Sequence, residues 1–231
     1  DGKGRFNLRG SHGQGEVALA VGNSRIDARG SVGDRLDINA RFEPLQLDDL
    51  LPGASGSVRG TALIKGPRSA PDIDVDLAGN GLRWNDWSAG SITLQGRLPA
   101  QGEGGALALR ARALDVGMLL DQVEADTRGS LQNLRINAQV DNEMARLALR
   151  GNLSRRGEQW QGMLDGLRIA PAKGAPWQLR QPSSFAVAGQ RITLSDTCLG
   201  ADTGGALCLS ADWPRQGLSV RGDALPLALV Q

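Results

Sequence analysis

Residues 35–42, RLDINARF, decide the fold class predicted for this chain. Apolar side chains occupy every second position of this stretch, namely Leu36, Ile38, Ala40 and Phe42. Charged or amide side chains fill the positions between them. Because successive side chains of a strand point to opposite faces, this period of two predicts a β-strand with one apolar and one polar face.

The same alternation recurs along most of the sequence, for example in DIDVDL (72–77) and LRINAQV (134–140). Turns rich in Gly, Asn, Asp and Pro separate the alternating segments, as in LRWNDWSAGSITL (82–94). The usual signals of strands and turns give roughly 14 to 17 strands. The sequence therefore predicts an all-β fold.

The composition excludes several classes of protein. The 231 residues include 26 basic and 25 acidic side chains, so the net charge of +1 does not indicate nucleic-acid binding. The chain has 32 glycines but only 8 Phe and Trp residues together, and it has no Tyr. The apolar surface must therefore be mostly aliphatic. No apolar run approaches the roughly 18 residues of a membrane span. Strand patterns at both ends of the sequence predict one continuous segment, 1–231, of a longer chain.

Three leucine-rich segments depart from the alternation and predict short helical insertions. They are PLQLDDLLPG (44–53), ALDVGMLLDQ (113–122) and LPLALVQ (225–231). Similar strand-like segments follow the first two, which indicates a degenerate repeat of one insertion and several antiparallel strands.

Helices that could cover the apolar strand faces are otherwise missing, and an open sheet of more than about ten strands tends to curl or split. A two-sheet sandwich, a closed barrel and a trough are the solutions that remain. The Trp residues lie near turns or strand ends rather than in the alternating segments. We therefore expect a long, curled, mostly antiparallel sheet that forms a U-shaped apolar trough.

Two parts of the sequence resemble the TamB family, the large proteins of the translocation and assembly module. Within 42–84, LQLDDLLPGASGSVRGTALIKGPRSAPDIDVDLAGNGLRW is similar to the family's repeat. Within 191–231, CLGADTGGALCLSADWPRQGLSVRGDALPLALVQ is similar to a cysteine hairpin followed by a further strand and a leucine-rich segment. Residues 141–185 are only generically similar, and LLDQVEAD lacks the Pro-Gly of LLPGASG.

The resemblance implies a β-taco, a U-shaped sheet with an apolar groove, related to AsmA-like and bridge-like lipid transfer proteins. Such proteins are anchored in the inner membrane of Gram-negative bacteria and cross the periplasm. The implied cargo is the acyl chains of phospholipid. The implied partner is an Omp85-type outer-membrane protein, TamA, bound by another part of the chain, and the membrane anchor also lies outside this segment. A chaperone-like scaffold that offers strand edges to outer-membrane β-barrels or autotransporters is the alternative function.

The groove would be lined by the apolar positions of the alternating segments, although such positions more commonly form a packed core. An adhesin-like β-solenoid without a ligand would require that packed core. The predicted lining residues are Val17, Leu19, Val21, Ile26, Leu36, Ile38, Phe42, Ile73, Val75, Leu77, Ile92, Leu94, Leu107, Leu109, Leu134, Ile136, Leu147, Leu149, Ile192, Leu194, Leu218 and Val220.

The two cysteines, Cys198 and Cys208, flank a turn-like GADTGG within 191–213. Their spacing suits a disulfide across a hairpin, with free buried thiols as the alternative. A disulfide would fit an oxidising compartment such as the periplasm. Simple alternation places Cys198 with Leu194 but Cys208 opposite to Leu207, so we also predict a bulge near SDT (195–197).

No motif supports catalysis, a metal or a cofactor, so we do not expect an enzyme. His12 is the single histidine and lies in a Gly-rich stretch, and no GxSxG elbow is present. DIDVDL has carboxylates at the spacing of a calcium loop, but Leu77 occupies the position that requires glycine. Zinc would need two ligands besides the cysteines.

Overall fold

The structure is a computed structural model that describes residues 2–9 and 12–224, without the side chains of residues 2–12, 17 and 19. Seventeen strands make up most of the described chain. They are β1 (Gly2–Arg9), β2 (His12–Val21), β3 (Ser24–Val32), β4 (Arg35–Gln46), β5 (Ser55–Pro67), β6 (Asp72–Trp84), β7 (Trp87–Leu98), β8 (Gly105–Asp115), β9 (Leu119–Gly129), β10 (Asn133–Asp141), β11 (Ala145–Arg156), β12 (Gln159–Pro171), β13 (Trp177–Leu179), β14 (Ser183–Ala188), β15 (Arg191–Ala201), β16 (Ala206–Trp213) and β17 (Gly217–Asp223).

The strands form two compact units, Asp1–Leu131 and Gln132–Gln231, here called unit 1 and unit 2. In unit 1 each of β1 to β8 pairs antiparallel with the strand that follows it. Unit 2 follows the same rule, except that the short strands β13 and β14 share the place between β12 and β15. The predicted all-β, antiparallel fold is confirmed.

Unit 1 stacks apolar side chains in rows that run across the strands, because directly paired residues of neighbouring strands point to the same face. One row is Ile26, Phe42, Gly60, Leu77, Leu94 and Leu109. Gly60 is required in this row. Its φ is +128°, and a Cβ there would lie 1.8 Å from the carbonyl oxygen of Asp76 on β6.

A crease crosses β5 to β8 near one edge of unit 1. We use this name for Gly56, Gly81, Gly90 and Ala113, which lie at about the same level of the four strands. Gly56, Gly81 and Ala113 have φ values of +99°, +59° and +49°. Beyond the crease the alternation changes phase: Leu82 lies over Gly79, where an added Cβ would be 2.8 Å from Leu82 Cδ1. Since Leu82 pairs with Ala89 and Ala89 with Leu114, all three lie on the apolar face.

The helical prediction for 113–122 is wrong, and the crease explains the error. β8 continues to Asp115 and β9 begins at Leu119, so strands and a short bend occupy this segment. The phase change at Ala113 places Leu109 and Leu114 on the same side although they are five residues apart. This break in the alternation removes the period of two that would have indicated a strand.

The other two leucine-rich segments have different outcomes. In 44–53 only Leu47–Asp49 form a 3₁₀ turn, while Pro44 to Gln46 still belong to β4. A bulge between Phe42 and Leu45 disturbs the alternation there. The segment 225–231 lies outside the described residues.

Unit 2 has the same construction. One row across its strands is Leu134, Leu153, Gly162, Phe185, Leu194, Ala211 and Leu218. Register shifts at Arg150/Gly151 and at Leu194/Thr197 move later residues of β12 and β15 into the opposite phase. Three hydroxyls occupy the second shift: Ser183 Oγ contacts Ser195 Oγ and Thr197 Oγ1, so these polar groups are satisfied although Ser183 and Thr197 are buried.

Candidate apolar binding face

In unit 1 the strand register brings the predicted lining residues to one side of the sheet, here called face 1. Val17 and Leu19 have side chains outside the described part of the structure. The others are Val21, Ile26, Leu36, Ile38, Phe42, Ile73, Val75, Leu77, Ile92, Leu94, Leu107 and Leu109. They lie in several rows of directly paired residues, and because the rows are an even number of residues apart along each strand before the crease, all of them face the same side.

The predicted residues of unit 2 also share one side, here called face 2. They are Leu134, Ile136, Leu147, Leu149, Ile192, Leu194, Leu218 and Val220. The prediction missed other members of the same face, such as Leu167, Ile169, Leu199, Leu207 and Leu209. Several of these residues follow a bulge in their own strand, and others pair with residues that do. Alternation counted from the start of the bulged strand assigns the residues after the bulge to the wrong side.

The aliphatic side chains of both faces are only half covered. Among the predicted lining residues whose side chains are described, only Val75 and Leu134 are buried, at 8% and 9% exposed. Val21, Ile192, Leu218 and Val220 are 36–64% exposed, and the remainder are intermediate. The extensive contacts of each strand are with its neighbours in the sheet. A packed sandwich core would bury such residues from both sides, so neither face has the packing of a closed core.

Face 1 has no group that could orient a polar ligand by charge. Its described strand positions carry apolar residues, glycine, Ser24 and Thr127, and no ionisable side chain. Face 2 has a single basic residue among its described positions, Arg155, whose guanidinium carbon lies 5.5 Å from the ring centroid of Trp160. The chemistry available on these faces is therefore non-directional apolar contact, which favours hydrocarbon.

The opposite side of each sheet is polar and solvated. Arg110 lies 2.9 Å from Asp126 and 3.7 Å from Glu124, and Arg191 lies 3.1 Å from Asp212. These pairs are partly exposed to solvent, so each contributes only about 0–1 kcal/mol to stability. The described residues contain no group of three or more side chains suited to a metal ion. Within them, no helix is both long and apolar enough to cross a membrane.

Cys198 and Cys208 form a disulfide on this polar side, between β15 and β16. Their sulfurs are 2.08 Å apart and their Cα atoms 4.0 Å apart. The two residues are direct partners in the strand register, while Leu199 pairs with Leu207 on face 2. The register shift between Leu194 and Thr197 is the predicted bulge, and it is what brings both cysteines to the same side.

Comparison with known proteins finds similarity to a family model and to curated proteins. The family described as TamB, N-terminal domain, matches residues 2–217. The translocation and assembly module subunit TamB of Haemophilus influenzae is 25% identical over 159 residues, which cover 67% of this chain. The matched part is 12% of that protein, so the chain spans a small fraction of this relative. No solved structure matches the chain significantly.

Proposed function

Since this chain belongs to the TamB family, we propose that it is a segment of a periplasmic bridge that carries phospholipid on its apolar faces. The observation that supports this proposal most directly is the half-covered state of faces 1 and 2. In each unit, rows of Leu, Ile and Val continue from strand to strand without a packed second layer.

An acyl chain is the ligand that such rows suit best. Moving hydrocarbon from water to an apolar surface is worth roughly 0.8 kcal/mol per CH₂ group, so a chain lying across several strands would bind well. Because no charged side chain marks a preferred position on face 1, the ligand could move along it without breaking a directional bond. This is a property that a conduit needs and that a site for one fixed ligand does not.

The setting of this function is also part of the proposal. The relative's name places that protein in a translocation and assembly module. We extend this role to the present chain. Its proposed partner is an Omp85-type protein, TamA, which binds another part of a longer protein. The proposed inner-membrane anchor also lies in another part of that protein. The Cys198–Cys208 disulfide supports a periplasmic location, since disulfides persist in oxidising compartments.

The proposal is tested by placing one charge on either side of the same strand. Leu109→Arg puts a guanidinium on face 1, and Ala108→Arg puts the same group on the polar side of β8. Ile136→Glu and Asn137→Glu form the equivalent pair on β10. We expect the chain purified without detergent to retain phospholipid in native mass spectrometry, and both inward variants to lose most of it while the outward variants keep it.

We choose Ala108 as the outward position of β8 because Arg110, which faces the same side, is paired with Asp126 and Glu124. An empty wild-type chain that stays monomeric would count against lipid binding. Equal lipid retention by Leu109→Arg and Ala108→Arg would do the same. In either case, crosslinks from strand edges to newly made outer-membrane β-strands would favour the scaffold function instead.

A further inference from the structure

One edge of unit 1 carries an unusual concentration of exposed apolar side chains. In an antiparallel sheet every second connection lies at the same end of the strands, and we call each such end an edge of the unit. The connections at one edge of unit 1 are residues 21–24, 47–54, 84–87 and 115–119. We call these four connections the rim. Seven large apolar residues on it are between 36% and 58% exposed: Val21, Leu50, Leu51, Trp84, Val116, Met118 and Leu119.

The opposite edge of unit 1 differs in composition. Its described connections, 33–34, 68–71, 99–104 and 130–132, contain no exposed large apolar residue. Val32, which ends β3 beside the first of them, is the one such side chain at that edge among the described residues, at 45% exposed. Scattered single apolar residues on a surface need no explanation, but seven gathered at one edge indicate a contact surface.

The four connections of the rim carry charge of one sign, and exposed Arg25 and Arg83 lie next to them in β3 and β6. The four connections contain Asp48, Asp49, Asp86 and Asp115 and no Lys, Arg or His. Asp48 and Asp86 are exposed. The opposite edge has Asp34, Arg68 and Glu103, which include both signs.

Hydrogen bonds hold parts of the rim in a fixed geometry. Asp49 Oδ2 accepts hydrogen bonds from Ser24 Oγ at 2.6 Å and from the Asn23 amide at 3.2 Å, which ties the 3₁₀ turn to the β2–β3 turn. The Asp115 carboxylate accepts one from the Gly117 amide at 3.0 Å. The apolar tips are therefore presented by ordered turns, which lowers the entropy lost when a partner binds.

Charge decides which partner fits the rim. An anionic lipid surface would be repelled by the four carboxylates of the rim. A second copy of the same rim would be repelled in the same way. We infer that the rim docks a protein segment of opposite character, an amphipathic helix whose apolar side is flanked by Lys or Arg.

The inference is tested with a fluorescent Leu/Lys amphipathic peptide of about 18 residues, roughly five helical turns. A Leu/Glu peptide of the same pattern is its control. Fluorescence anisotropy should show salt-sensitive binding of the Leu/Lys peptide to the wild-type chain. Binding should weaken about tenfold or more in Leu50→Ser/Leu51→Ser and in Val116→Ser/Met118→Ser, as expected when anchor residues are lost.

Matched controls lie at the opposite edge. Val32→Ser should leave peptide binding unchanged, because it removes an equally exposed side chain from the other side of the sheet. Asp48→Asn/Asp86→Asn should weaken binding several-fold at low salt, whereas Glu103→Gln should not. Asp48→Asn/Asp86→Asn and Glu103→Gln remove charge without changing the size of the side chains. They therefore remain informative if a Leu→Ser variant folds poorly.

Three results would overturn the inference. The first is equal binding of the Leu/Glu and Leu/Lys peptides, and the second is an effect of Val32→Ser as large as that of the rim variants. The third is rim-dependent binding to phosphatidylglycerol vesicles, or rim-dependent dimerisation, in place of peptide binding. None of the rim residues substituted here is a predicted lining residue of face 1, so the rim and the proposed function are tested separately.

Discussion

Cys198 and Cys208 show how one added residue changes what a strand presents. Without the shift between Leu194 and Thr197, one cysteine would point to face 2 and the other away from it. The extra residue in β15 places both on the polar side and keeps Leu199 and Leu207 on the apolar side. The disulfide therefore stabilises the hairpin without occupying the surface proposed for lipid.

We predict that removing the disulfide destabilises the chain without emptying its apolar faces. The Cys198→Ser/Cys208→Ser variant should lose about 2–3 kcal/mol of unfolding free energy, the usual value for a loop of this size. Urea denaturation measures the loss, and native mass spectrometry should find the same retained lipid. A reductant should weaken the wild-type chain but not the variant. Equal stability of the two proteins without reductant would contradict the prediction.

At the scale of the element, the crease of β5 to β8 changes which side chains of several strands face the apolar side. Glycine adopts positive φ without steric cost, and Gly56 and Gly81 do so here. Ala113 does so with a Cβ, which costs roughly 1–2 kcal/mol. The residues beyond the crease gain burial in return, since Leu82 is 8% and Ala89 2% exposed.

Ala113→Gly should therefore stabilise the chain. Relief of the left-handed strain exceeds the added backbone entropy of glycine, so the unfolding free energy should rise by about 0.5–1 kcal/mol. Ala111→Gly is the matched control: this neighbour is 3% exposed in regular strand, and its change should cost about 1 kcal/mol or more. Urea denaturation compares both variants with the wild type. A loss of stability in Ala113→Gly would mean that the crease needs its side chain.

At the scale of the whole molecule, both units repeat one arrangement of an aliphatic face and a charged face. The charged faces carry exposed ion pairs such as Arg221–Asp196 at 2.9 Å, which keep that side in water. The aliphatic faces have one ionisable side chain among their described positions, Arg155. The described positions of faces 1 and 2 therefore offer a lipid headgroup almost no charged partner.

Binding should accordingly depend on the acyl chain and not on the headgroup. We expect phosphatidylethanolamine and phosphatidylglycerol of equal chain length to bind with affinities within about threefold, a difference below 1 kcal/mol. Raising the salt from about 0.05 to 0.5 M should have little effect, because apolar contact is not screened. Shortening the acyl chains should weaken binding steadily. Competition measured by native mass spectrometry decides this, and a strong preference for either headgroup would contradict it.

Sequence reasoning located the fold class and the core of each apolar face, because alternation in RLDINARF or LRINAQV is unambiguous within an unbroken strand. It failed where strands change phase. Leu114 was assigned to a helical segment, and Leu167 and Leu199 were missed on face 2. A bulge or a left-handed residue leaves little trace in a single sequence, since many residues other than glycine can occupy it.

The sequence by itself determined that the chain is all-β, that its strands have one apolar side, and that the cysteines can bridge a hairpin. Those properties follow from neighbours in the chain, and local periodicity records them. Only the tertiary structure decided that the apolar sides lack a packed second layer, that the crease turns Leu82 and Leu114 onto face 1, and that exposed apolar tips gather on the rim. Each of these depends on which strands and turns meet in space, and residues far apart in the sequence carry no periodic signal of that meeting.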